Sequence, residues 1–394
     1  MTVVAPSINM RLNMRRCREK NFLYPILILL CMLLCGVIVK NRIIKSKNNI
    51  PNVIEKSEKV LLPTLVMACN VRFLKRSLKS LQNFRADTKS FPIIVTSKSS
   101  NCYSKETHEM IIKSLYQEEL TTTFLEIPKH VFGHHYKYAL NYVFKTLNHK
   151  AVIVLEDNLD ISPDFFEYFL GTYPLLKKDP SIWCVSAWND NGKRGLVEAN
   201  QAHLLHRTDF FPGMGWMLLS ETWNEIESNF PENFTYNFLR NPAVTRGRVC
   251  IRPEISRTYK FGIYESNNVK HLPYRHYDNE QRLLNTGFIP FTRQNLSYLH
   301  KEKDHLFLNF IYSRPETTVE DVKTGKVNSS LKYVRIPYSN TTMFKTAAKT
   351  IGLMDDLSHG VPRTGLYGVV ECFINNHRVF LAPVRKQFKA TTDN

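Results

Sequence analysis

The chain has 394 residues, 43% of them hydrophobic and 22% charged, enough for one large or two modest domains around a sizeable core. Its 53 Lys and Arg against 35 Asp and Glu leave a formal net charge of +18. The basic residues are spread along the chain without an RNA-binding signature, zinc-finger spacing or arginine-rich arm, which excludes a nucleic-acid reader. A surface facing anionic membrane, or one drawing in a polyanion such as a nucleotide diphosphate, accounts for the charge.

Residues 1–21 read as a basic tail. Phe22 to Val39 is almost wholly apolar and carries no charge, and at about 1.5 Å per residue it spans roughly the hydrocarbon thickness of a bilayer. It is expected to be a transmembrane signal-anchor rather than a cleaved signal peptide, because Lys40, Arg42, Lys45 and Lys47 follow it in place of a small-residue cleavage site. Basic residues flank both ends, so positive charge alone does not orient it. Four Asn-x-Ser/Thr sequons, at Asn233, Asn295, Asn328 and Asn340, predict a short cytosolic tail and a lumenal body. Residues 40–62, polar and basic with Asn and Pro, are expected as a stem.

Leu65 to Cys69 predicts a buried strand, Val71 to Phe84 a helix and Phe91 to Thr96 a second strand, the start of a βαβ pattern. Helices are expected at Glu106 to Leu115 and Tyr136 to Leu147, and then the apolar run Ala151 to Leu155 predicts a strand that ends abruptly in Glu156, Asp157 and Asn158. Strands and helices alternating at this spacing predict an α/β fold with a mostly parallel sheet. Ligands of such sheets bind at the carboxyl ends of the strands, and hard oxygen ligands there suit a divalent cation holding a phosphate group. The same residues also fit the acidic start of a helix, with Ser162 as N-cap and Pro163 at the first helical position.

Further on, Phe165 to Leu176 predicts a helix and Ile182 to Ala187 a strand leading into the polar loop Trp188 to Gly192. The stretch Thr208 to Leu219, TDFFPGMGWMLL, fits either an aromatic, Gly-rich surface for a sugar or base, or a strand entered through a Gly-rich turn. Residues 301–332 are charged and poor in long apolar runs, which predicts a linker or mobile loop. Residues 333–394 predict a small C-terminal domain with strands at Tyr367 to Phe373 and Val379 to Pro383 and a helix near Phe344 to Ile351.

From Val154 to Lys193 the text VLEDNLDISPDFFEYFLGTYPLLKKDPSIWCVSAWNDNGK closely resembles the N-acetylglucosaminyltransferase I family, glycosyltransferase family 13. The likeness continues through RTDFFPGMGW, RVCIRPEISRT, NLSYL and MDDLSHGVPR. The resemblance implies a GT-A glycosyltransferase fold, a Rossmann-like mixed sheet, over residues 63–300. It implies UDP-N-acetylglucosamine as donor, Mn²⁺ as cofactor and a mannose-terminated N-glycan as acceptor. It also implies inversion to a β1,2 linkage on the α1,3-linked mannose, and a single-pass type II place in the Golgi membrane.

Carried over by residue, the family's acidic motif falls on Glu156, Asp157 and Asn158. The third position is an Asp metal ligand in the family; Asn158 keeps a coordinating oxygen without the charge, which predicts weaker metal affinity. Asp157 matches the residue that meets the donor ribose, and His135 matches the histidine near the uracil. The family's Arg after the first strand aligns with Val71, with Arg72 one position on, and its uracil-binding Asp aligns with Lys98. Asp278, in RHYDNE, matches the catalytic base, with Glu280 and Glu254 as fallback carboxylates. Lys301 to Asp304 resembles the start of the segment that closes over the donor. Cys69 with Cys102 and Cys184 with Cys250 are the candidate disulfides. Because Val71, Lys98 and Asn158 all fall on the donor side, a catalytically impaired paralogue that binds glycans or partners in the lumen is the competing expectation.

Overall fold

The structure is a computed structural model and describes residues 60–98, 122–127, 135–262 and 282–385. The expected anchor Phe22 to Val39, most of the stem, the helix Glu106 to Leu115, Cys102, Asp278 and Glu280 lie outside the described residues. Among the described residues no helix is long and apolar enough to cross a membrane.

Apolar runs build the central sheet. Strands β1 (Thr64–Ala68), β2 (Ile93–Lys98), β3 (Thr122–Ile127) and β4 (Ala151–Glu156) pair in parallel, with β1 between β2 and β4. Successive side chains on a strand point to opposite faces, so a run such as Val152, Ile153, Val154 must find cover on both. Val66, Val95 and Ile153 pack under helix α1 (Val71–Phe84), which turns Leu74, Leu78 and Leu81 inward at helical spacing. On the other face Leu65, Met67, Val152 and Val154 meet Ala139 and Leu140 of helix α2 (His135–Asn141), which runs on into a π-helical turn at Tyr142–Thr146.

After β4 the short strand β5 (Leu159–Ile161) leads to helix α3 (Phe165–Lys178). Ser162 does not cap this helix: its hydroxyl donates to Asp164 Oδ1 at 2.6 Å, and Asp164 is the flanking residue. Buried Asp164 also binds the fully buried guanidinium of Arg257 at 3.1 Å, an ion pair that spends the carboxylate on the core.

Strands β6 (Ile182–Ser186), β7 (Leu205–Thr208), β8 (Trp216–Leu219) and β9 (Val249–Pro253) complete the eight-stranded sheet in the order β3-β2-β1-β4-β8-β6-β9-β7. Here the expected parallel pattern gives way: β4–β8, β6–β8 and β7–β9 are antiparallel, and β6–β9 is parallel. The sheet is therefore mixed. Cys184 and Cys250, register partners on β6 and β9, form a disulfide that closes a 66-residue separation, as expected. Strand β10 (Thr258–Lys260) pairs with β5 outside the main sheet.

Residues 301–332, expected as a loop, carry a 3₁₀ turn at Lys301–Lys303 and helices at Asp304–Tyr312 and Val319–Thr324, anchored by the buried Ile311 and Val322. The C-terminal part has its own three-stranded sheet, in which β15 (His377–Pro383) lies between β11 (Tyr333–Tyr338) and β14 (Val370–Ile374). Short strands β12 (Leu357–Ser358) and β13 (Val361–Pro362) form a separate hairpin. The helix Thr341–Ile351 covers the C-terminal sheet with Phe344, Ala347 and Ala348.

Charge, not only apolar packing, ties this small sheet to the central one. His206 on β7 binds Glu254 through Nε2 at 2.8 Å and Glu371 of β14 through Nδ1. Arg378 of β15 reaches Glu254 at 2.9 Å and Glu198 at 2.9 Å. Burial pushes the His206 pKa down, and the two carboxylates more than reverse this, so it is raised overall. Burial likewise opposes ionisation of Glu254 and Glu371, but His206 and Arg378 hold both at about 2.

Candidate active site

Parallel pairing brings the carboxyl ends of β1, β2 and β4 to one edge of the sheet, and with them Cys69 and Asn70, Lys98, and the triplet Glu156, Asp157, Asn158. Asp157 is completely buried, and its Oδ2 accepts from the backbone N–H groups of Cys69 at 2.5 Å and Asn70 at 2.6 Å. The carboxylate thus fixes the turn between β1 and α1. Asn70 in turn caps α1, its Oδ1 accepting from Arg72 N at 3.0 Å and Phe73 N at 3.2 Å. Arg72 sits exposed in the first turn of that helix, at the same edge.

Asn158 is also buried, and its Nδ2 donates to Gly262 O at 3.0 Å, while its own carbonyl accepts from Phe261 N at 3.0 Å. This network fixes the amide's orientation: the nitrogen must face the Gly262 carbonyl, so Oδ1 is turned away from it. Oδ1 is buried and has no hydrogen-bond partner among the described residues. The approach of the 261–262 backbone depends on glycine, because a Cβ at Gly262 would lie 2.6 Å from the Phe73 ring.

Among the described residues Glu156 leaves a second buried oxygen, Oε2, without a partner, while Oε1 accepts from Tyr136 Oη at a long 3.4 Å. Burial lifts its carboxyl to about 7 against the opposing pull of backbone and Tyr136 hydrogen bonds and of Lys260. An unsatisfied buried acceptor costs on the order of 1–3 kcal/mol, so two at one strand end are expensive unless something binds there. Hard, desolvated oxygens at one strand end suit a divalent cation, although among the described residues no group of three or more His, Cys, Asp or Glu is placed to hold a metal ion, here or elsewhere. The residues present fit the expected cation.

His135 opens α2 beside the same edge, its Nε2 2.8 Å from Thr96 Oγ1. Thr96 Oγ1 also lies 3.2 Å from Val66 O, so it ties the imidazole to the β1 backbone. Lys98 ends β2 in register with Ile127. The structure therefore brings Arg72, His135, Glu156, Asp157 and Asn158 to one edge. The described residues on either side of the stretch that holds Asp278 lie there too: Gly262 on Asn158, and Arg282 on the carbonyls of Asn189 and Asp190 in the loop after β6.

Three expectations change. Glu254 is saturated by His206, Arg378 and the Glu198 N–H, which leaves it no free oxygen to act as a base. Phe210, Phe211 and Trp216 are buried in the core rather than presented to a ligand. The Gly213–Met214–Gly215 turn, with φ of 71°, 51° and 88°, simply passes beneath Tyr236 and Thr258, where a Cβ on either glycine would collide. Lys301 to Asp304 sits at the opposite edge of the sheet, away from the triplet, Lys301 N donating to Asp179 just before β6 and Asp304 pairing with Arg207 at 3.1 Å.

Sequence reasoning missed Asn70, Tyr136 and Gly262. Asn70 carries the ordinary N-cap signal of an Asn before a helical run, whereas the Gly262 contact is made 104 residues away and has no local signature.

The model of the GNT-I family matches residues 37–394. An Arabidopsis thaliana protein, alpha-1,3-mannosyl-glycoprotein 2-beta-N-acetylglucosaminyltransferase, is 30% identical over 345 residues, 85% of this chain and 77% of its own. Solved structures are more distant. The mannosyltransferase PcManGT from Pyrobaculum calidifontis, in complex with GDP-Man and Mn²⁺, is 14% identical with a TM-score of 0.35 over 49% of this chain and 54% of its own. S. aureus TarS 1–349 in complex with UDP-GlcNAc is 10% identical with a TM-score of 0.38 over 52% and 60%. The chain thus spans little more than half the length of these structures, and likeness this low carries no argument. The match over nearly the whole chain places this protein in the GNT-I family.

Proposed function

We propose that the protein transfers N-acetylglucosamine from UDP-N-acetylglucosamine to a mannose of an N-glycan, in β1,2 linkage to the α1,3-linked mannose. Family membership and the name of the Arabidopsis relative support the reaction. The observation that carries the site is the pair of buried oxygens, Glu156 Oε2 and Asn158 Oδ1, at the carboxyl end of β4, which have no partner among the described residues. An impaired, merely binding relative is disfavoured by the same pair, because a pocket released from its ligand gains stability by losing such atoms.

In this reading the sheet is of the GT-A type, and Asn158 Oδ1 would hold Mn²⁺. Bound there, the ion would supply charge neutralisation for the departing UDP. Asp157 fixes the β1–α1 turn on which the nucleotide rests, while Arg72 and His135 flank it. Asp278 takes the proton from the attacking mannose hydroxyl as the new bond to the anomeric carbon forms on the face opposite the departing diphosphate, which inverts the configuration. The body faces the Golgi lumen behind the anchor Phe22 to Val39, a placement supported by the disulfide and the sequons.

The test is transfer from UDP-N-acetylglucosamine to a mannose-terminated N-glycan by the purified full chain with Mn²⁺, with the linkage read by NMR. A β1,2 product is expected, lost in Asp278→Asn. A folded protein that makes no product refutes the reaction, and an Asp278→Asn variant of undiminished activity refutes the assignment of the base.

A further inference from the structure

β4 is antiparallel to β8, β8 to β6, and β9 to β7, while β6 and β9 are parallel, so β7 runs opposite to β4. The carboxyl end of β7 therefore lies at the sheet edge away from the acidic triplet and four strands across, a separation on the order of 20 Å. A cavity of about 530 Å³ opens at that edge, between Asp209, just past β7, and the C-terminal sheet. Its size falls within the usual range for small-ligand sites, roughly 300–1,000 Å³.

The lining is unusual for this molecule. In a chain of net charge +18, none of the described residues that line the cavity is Lys, Arg or His, which disfavours phosphates and nucleotides. Two half-buried tyrosines line it, each with its ring held in place: Tyr338 donates from its hydroxyl to Gly368 O at 2.8 Å, and Tyr367 donates to Asp304 Oδ2 at 2.6 Å. Asp209 is fixed as well, its Oδ2 accepting from Tyr367 N at 2.6 Å, while its Oδ1 accepts no hydrogen bond from the described residues. Thr341 and Asn340 add a hydroxyl and an amide at the exposed rim.

Aromatic faces cover the C–H side of a sugar ring, and a carboxylate with neighbouring hydroxyl and amide groups takes its hydroxyls. We propose that this cavity is a second carbohydrate site, which takes a neutral pyranose of a glycan at the edge opposite the candidate donor site. Burial lifts the Asp209 carboxyl to about 6, which suits a hydroxyl partner better than a cation. Asn340 begins a sequon at the rim, so the pyranose comes either from a glycan carried there or from the acceptor. That the sugar is mannose rests on the proposed transfer; that it is a neutral pyranose does not.

The test is binding of methyl α-D-mannoside to the full chain, by saturation-transfer NMR, before and after enzymatic removal of N-glycans. UDP-N-acetylglucosamine binding is measured in parallel. Thr341→Phe, which keeps the sequon and fills the rim, and Asp209→Asn are each expected to weaken mannoside binding at least tenfold and leave UDP-N-acetylglucosamine binding unchanged. Mannoside binding that emerges only after deglycosylation supports the site with the Asn340 glycan as its occupant; binding in both states supports an added glycan. Wild-type affinity in both variants, or displacement of the mannoside by choline, overturns the inference. Loss of UDP-N-acetylglucosamine binding from the wild type counts against the proposed transfer and leaves this inference standing.

Discussion

Two buried polar regions of the molecule follow opposite rules. Where the small sheet meets the central one, both ring nitrogens of His206 and both oxygens of Glu254 have partners, and the carboxylates are held at about 2. At the end of β4, Glu156 and Asn158 each keep one buried oxygen with no partner among the described residues, and the Glu156 carboxyl is pushed up to about 7 instead. The sequence signal is the same in both places, acidic residues among apolar strands. Saturation of the acidic groups separates them: carboxylates with partners on both oxygens fix a structure, even beside Arg252 with its buried Nε unpartnered among the described residues, whereas an acceptor left open at a strand end is available for a ligand.

That contrast breaks first where the network is cut. Glu254→Ala removes the shared partner of His206 and Arg378 and is expected to destabilise the fold by about 3–5 kcal/mol, read from urea unfolding. A loss below about 1 kcal/mol contradicts the saturated reading. Asp157→Asn weakens the carboxylate's grip on the Cys69 and Asn70 N–H groups and should cost roughly 2 kcal/mol, with weaker UDP-N-acetylglucosamine binding. Asn158→Asp sharpens the comparison. It adds charge at the proposed cation site but sets an oxygen against Gly262 O, now 3.0 Å from Nδ2, so tighter Mn²⁺ binding should accompany a loss of about 1 kcal/mol in stability. Tighter binding without that loss indicates that the Gly262 contact does not fix the amide.

The smallest effect is a slope with pH. The raised pKa of His206 means its stabilisation is full below its ordinary 6.5 and is lost as pH rises through the folded value. Glu254 and Glu371, held at about 2, contribute above their ordinary 4.5 and lose that contribution as pH falls toward 2. The network is therefore strongest between 4.5 and 6.5. In His206→Gln the fall in the unfolding midpoint on going from mildly acidic to mildly alkaline pH should flatten; an unchanged slope assigns it to other groups.

Much of this was legible in order. The runs that form β1, β4 and β6 are apolar and β-branched, and their observed ends fall within a residue of expectation. β3 was not, because its TTFLEI mixes polar and apolar residues without a sustained run. The helices within 301–332 were hidden by the charges around them; only the tertiary contacts that bury Ile311 and Val322 reveal which face turns inward. Antiparallel β8 could not be read either, since direction depends on long-range pairing. In the site the triplet itself was plain from composition, but its division of labour was not. Asp157 is spent on backbone and Asn158 is aimed by a glycine carbonyl, and both facts depend on contacts 87 or more residues away in sequence.

The central claim is that the open oxygens at the end of β4 form the donor and cation site. Calorimetry of UDP-N-acetylglucosamine binding to the full chain, with and without Mn²⁺, in the wild type and in Asn158→Ala, tests it most directly. Binding should require Mn²⁺ in the wild type and fall at least tenfold in the variant, a change of about 1.4 kcal/mol, while the fold is retained. Binding that is indifferent to both the metal and the substitution contradicts the account.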